Sequence, residues 1–92
     1  MSREKTLFKS KERKSKHEIV AFLRQLADKI DEGSVVLSKG SEELALQLPE
    51  NITLEVKAED EMKRKRGTQH SLEVELKWFD DDNHKASGLV LK

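Results

Sequence analysis

Leu72-Glu73-Val74-Glu75-Leu76-Lys77-Trp78 alternates apolar and charged residues without a break. Side chains on a strand point to opposite faces with period two, so Leu72, Val74, Leu76 and Trp78 share one face while Glu73, Glu75 and Lys77 share the other. The segment reads as a strand with one wet face. Its apolar row is closed by the chain's only tryptophan, and a large aromatic in that place either seals a core or anchors a partner. Ile52 to Ala58 alternates in the same way, with Ile52, Leu54, Val56 and Ala58 on one face and Thr53, Glu55 and Lys57 on the other. Pairing Ala58 with Leu72 puts Val56 opposite Val74, Leu54 opposite Leu76 and Ile52 opposite Trp78, so the apolar rows coincide. The same register sets Lys57 against Glu73 and Glu55 against Glu75, a like-charge pair that Lys77 relieves diagonally. A slip by one residue would turn the glutamates into the core.

Further from that hairpin, Ser15-Lys16-His17-Glu18 has the spacing of a capping box, and apolar residues then fall at Ile19, Phe22, Leu23, Leu26, Ala27 and Ile30. That is one buried helical stripe, and Gly33 supplies the left-handed stop, so a helix is expected over residues 16–32. Val35-Val36-Leu37 leads to a tight turn at Lys39-Gly40, and Leu44, Leu46 and Leu48 alternate before Pro49-Glu50-Asn51 ends the strand. Thr6-Leu7-Phe8-Lys9-Ser10 reads as a short edge strand or ordered arm, because the charges that follow discourage pairing. Glu59 to Ser71 reads as a long, mobile loop. The expected architecture is α+β: one amphipathic helix packed on a mostly antiparallel sheet of four to five strands, in the order β-α-β-β-β-β. Residues 1–78 form one small domain in this reading. Residues 79–92 form a disordered tail in which Leu89 to Leu91 is the one segment able to add a strand.

The helix segment Phe22-Leu23-Arg24-Gln25-Leu26-Ala27-Asp28-Lys29-Ile30 ending at Gly33, then Leu44-x-Leu46-x-Leu48-Pro49, Leu54-Glu55-Val56 and the strand ending in Trp78 together resemble the amphi-Trp domain. This is a small prokaryotic domain named for its amphipathic strand ending in tryptophan, and the resemblance covers residues 4 to 78. It implies an architecture and carries over no catalytic or binding residue. The chain departs from the compact pattern in its basic segment, Lys63 to Arg66, and its acidic one, Asp80 to Asp82.

Composition narrows the function classes. Ninety-two residues suffice for one core, near the size at which burial only narrowly outweighs conformational entropy. The absence of cysteine excludes disulfides, thiol nucleophiles and thiolate zinc sites, and fits a reducing compartment. The first residues are charged and no apolar run approaches membrane-spanning length, so a soluble, cytoplasmic protein is expected. Lys plus Arg and Asp plus Glu number 18 each, yet the charges are blocked along the chain: +5 over residues 1–16, −7 over 17–62, +3 over 63–77 and −1 beyond. Balanced overall, the charge is patchy in sequence.

Two docking chemistries follow. Trp78 and Phe79 are adjacent, so with one inside the other is outside, and together they are the candidate anchor for a protein partner. An open sheet edge offers a second route, by strand addition. Lys9, Lys11, Arg13, Lys14 and Lys16, with Lys63, Arg64, Lys65 and Arg66, are candidate phosphate contacts for electrostatic nucleic-acid binding. The bland account of those cations is a solvated surface, because few aromatics are free to stack on bases and Glu59 to Glu61 cancel part of the field. Glu43, Glu55, Glu73 and Glu75 on one sheet face have a hard-cation reading, but Lys57 and Lys77 among them favour a mixed-charge solvent face. His17, His70 and His84 lack the spacing of zinc or catalytic motifs. No nucleophile–base pattern or phosphate loop is present, and a domain this small leaves little volume for a ligand pocket. A non-enzymatic protein-binding module without a metal or cofactor is therefore the expected function. Nucleic-acid binding is the alternative, membrane insertion is not expected, and the oligomeric state is left open.

Overall fold

The structure, a computed structural model, describes residues 3–83. One helix and four antiparallel strands give an α+β arrangement in the order α-β-β-β-β. The strands form two separate two-stranded sheets, not the single sheet of four to five expected from their short connections. The chain divides into two compact units, residues 1–48 and 49–92.

In the first unit, α1 (Lys16–Glu32) begins and ends where its signals place it. Ser15 Oγ accepts the Glu18 N–H at 3.1 Å and Glu18 Oε1 accepts the Ser15 N–H at 3.0 Å, so the box is closed on both sides. Gly33 takes φ 92 and its N–H donates to the Lys29 and Ile30 carbonyls, ending the helix in a conformation that a Cβ would strain. β1 (Ser34–Lys39) and β2 (Glu42–Gln47) then form a hairpin about Gly40-Ser41, with Gly40 at φ 61 as a primed turn requires. The register pairs Val35 with Leu46 and Leu37 with Leu44. α1 lies against β1, and Leu26 and Ile30 are half-buried, as are Leu37, Leu44 and Leu46. Val35, at 6% exposure, is the one hydrophobic residue among those described that is buried. The first half of the stripe is less covered, with Ile19, Phe22 and Leu23 about half exposed.

The expected leading strand does not form. Residues 3–14 have no regular secondary structure; Leu7 is 58% exposed and Phe8 half-buried. Two apolar residues ahead of a basic run bury too little to offset the ordering of an edge strand, which is the physical reason.

The second unit is a single long hairpin, β3 (Thr53–Lys63) and β4 (Gly67–Lys77). Its ladder holds every pair expected from Leu54–Leu76 to Ala58–Leu72, and ends at Thr53–Lys77, one step short of Ile52–Trp78. The expected long loop is a correction. Pairing continues through Glu59–Ser71, Asp60–His70, Glu61–Gln69 and Met62–Thr68 to Lys63–Gly67, leaving only Arg64-Lys65-Arg66 as the turn. Gly67, at φ 81, makes the turn possible. Cross-strand main-chain bonding thus satisfies a polar stretch whose side chains gave no strand signal. Beyond β4, Asp80–Asn83 form one 3₁₀ turn in part of the expected tail. The segment Leu89 to Leu91 lies outside the described residues.

Candidate docking face

The register of β3 and β4 sorts their side chains into two faces, since directly paired residues point the same way. One face carries Leu54 and Leu76, Val56 and Val74, Ala58 and Leu72, then Asp60 with His70, and finally Met62 with Thr68. Most of its apolar residues are open: Leu54 is 60% exposed, Val56 59%, Leu72 73% and Val74 63%, while Leu76 is half-buried. A two-stranded hairpin is at best marginally stable alone in water, and this one presents a continuous apolar row as well.

The opposite face is polar and internally compensated. Lys77 Nζ lies 2.6 Å from Glu55 Oε1 and 3.6 Å from Glu75, so one ammonium bridges the like-charge pair as the register implied. The hydrogen bond from Lys77 holds the Glu55 carboxyl below its usual range, and the same bond raises the Lys77 ammonium. Lys57 sits 3.9 Å from Glu59 and 4.0 Å from Glu73. This is the mixed-charge surface that the interleaved lysines suggested, and among the described residues no His, Asp or Glu grouping could hold a metal ion.

At the base of the hairpin Trp78 is half-buried and Phe79 is 79% exposed. At the tip, about 35 Å away along eleven paired residues, Lys63 reaches Glu61 at 3.3 Å. Arg64, Lys65 and Arg66 have no ion-pair partner among the described residues. The other basic set lies in the first unit: Lys9, Lys11, Arg13 and Lys14 on the arm and Lys16 at the helix start, with Lys14 3.3 Å from Glu12. The two basic segments therefore belong to different units.

The hydrogen-bonded pair of Asp60 and His70, Oδ1 to Nδ1 at 2.6 Å, was not legible as a pair while both residues were read as loop. The signal was there, because continuing the Ala58–Leu72 pairing by two residues brings them opposite one another. The remaining described histidine, His17, is exposed in the first turn of α1. The first unit also holds an open cleft of about 820 Å³ between the arm, α1 and β1, lined among others by Phe8, Ile19, Phe22, Leu26, Val35 and Leu37. That is more volume than a chain of this length was expected to leave.

A family model for the amphi-Trp domain matches residues 1–92. The chain belongs to the amphi-Trp domain family. The match spans the basic hairpin tip and the acidic turn as well as the segments that first suggested it. No curated protein and no solved structure matches this amphi-Trp chain. Among its described residues no helix is long and apolar enough to cross a membrane.

Proposed function

We propose that this amphi-Trp chain is a non-enzymatic interaction module that binds protein through the apolar face of β3–β4, with Trp78 and Phe79 at its base as anchor. The carrying observation is the exposure of Leu54, Val56, Leu72 and Val74 in one unbroken row. An apolar row of that length is costly to leave in water, and covering it releases about 25 cal/mol per Å² of apolar area. Exposed aromatics such as Phe79 are enriched at interface centres. The polar face satisfies its own charges and asks for no partner. The reading implies a cytoplasmic protein and needs no cofactor. It is tested by placing a photo-crosslinking residue at Val74 or at Glu73 in cells that make the protein. Protein adducts at Val74 with few at Glu73 are expected; equal yields at the two faces would refute the assignment.

A second reading is favoured by the hairpin tip. Arg64, Lys65 and Arg66 stand together at a turn without carboxylate partners among the described residues, and a two-stranded ribbon fits a nucleic-acid major groove. Such binding weakens steeply with salt, whereas an apolar contact weakens little.

A further inference from the structure

The β3–β4 face is close to symmetric in its own residues, leucine opposite leucine at Leu54–Leu76 and valine opposite valine at Val56–Val74. We propose that its occupant is the same face of a second copy of this chain, stacked with the two hairpins antiparallel. The inference rests on the reading of this face as a docking surface, and names the partner.

Charge selects the arrangement. Lys63, Arg64, Lys65 and Arg66 occupy the tip, while Asp80 and Asp81 sit in the 3₁₀ turn that follows β4 at the base. Parallel stacking sets one cationic tip on the other within a screening length, which like charges resist. Antiparallel stacking brings each tip toward the acidic turn of the other copy, twice per dimer. A two-fold axis between the Val56–Val74 and Ala58–Leu72 pairs lays each valine pair on the other copy's alanine–leucine pair, so smaller side chains meet larger ones. The charged or titratable groups on the stacked face are Asp60 and His70, already bonded to each other at 2.6 Å where Leu54 and Leu76 of the second copy arrive. Seven apolar side chains from each copy, Met62 included, make a two-layer, four-stranded unit, and three or more strands with a covered apolar face are what independent stability requires.

The test uses the full chain. Sedimentation over a wide concentration range should show a monomer–dimer equilibrium that weakens with added salt. Reversing the tip with Arg64→Glu, Lys65→Glu and Arg66→Glu should raise the dissociation constant about tenfold or more, and adding Asp80→Lys with Asp81→Arg should restore it. These positions are exposed or at a turn, so folding is retained. Because the chain has no cysteine, Lys65→Cys and Asp81→Cys chains can be mixed and oxidised, and the mixed disulfide should exceed the disulfide between two Lys65→Cys chains. A predominant tip-to-tip disulfide would overturn the antiparallel arrangement. A monomer at every concentration that binds an apolar dye would overturn the second copy and leave the docking reading standing. A dye-silent monomer with slowly exchanging Leu72 and Val74 amides would overturn both.

Discussion

Val35 and Val36 are neighbours in β1 with opposite fates: Val35 is 6% exposed and Val36 53%. Replacing either with alanine removes the same two methyl groups and the same strand propensity, so the difference between Val35→Ala and Val36→Ala isolates burial. At about 0.8 kcal/mol per buried carbon, Val35→Ala loses ~1.6 kcal/mol of transfer free energy, and a cavity under α1 adds to it. Half the burial at Val36 gives ~0.8 kcal/mol by the same scale. The gap, about 1 kcal/mol once the cavity is included, corresponds to roughly 4–8 °C in midpoint for a domain of this size. Thermal and urea unfolding at fixed protein concentration, followed by far-ultraviolet circular dichroism, measures it, concentration being held because self-association shifts the midpoint. Equal losses, or a larger loss at Val36, would refute the placement of Val35 between α1 and the β1–β2 hairpin.

Ser15→Ala opens the capping box and should cost about 1 kcal/mol by urea unfolding, the usual worth of such a cap; an unchanged midpoint would show that the cap contributes nothing. Glu18 is held below its ordinary pKa of 4.5, chiefly by the Ser15 N–H. A depressed carboxylate contributes stability that is full above its unfolded pKa and lost as pH falls through its folded one, so helix content should drop only below the ordinary value of 4.5 and the drop should shrink in Glu18→Gln. Lys77→Met should let the Glu55 carboxyl rise toward its ordinary range, read by carboxyl-carbon NMR; no movement would mean the 2.6 Å contact is not kept in solution. Gly67→Val places a β-branched residue at φ 81 and should lower β3–β4 protection in hydrogen exchange, with protection at the wild-type level as the contrary result.

The sequence carried the helix most fully, because Ser15, Glu18, the apolar stripe and Gly33 are local signals that act within one element. The hairpin register was legible for the same kind of reason: only one parity superimposes Leu54, Val56 and Ala58 on Leu76, Val74 and Leu72. Its outer half was not. Glu59, Asp60, Glu61, His70 and Ser71 have no apolar alternation, and main-chain pairing extends through them from an already aligned ladder. The Asp60–His70 pair was hidden with them. The single sheet failed as an expectation because short connections favour adjacent strands without fixing which edges pair, and Pro49, with no N–H to give, stands at the break between β2 and β3.

The measurement that bears most directly on the β3–β4 face is the exposure of the Leu54, Val56, Leu72 and Val74 methyl groups to a soluble paramagnetic probe, compared at low and high protein concentration. Strong relaxation of these methyls on dilution and shielding on concentration, with Lys57 and Glu73 exposed throughout, is the predicted result. Shielding at every dilution would mean that the chain closes this face upon itself, and would contradict the account.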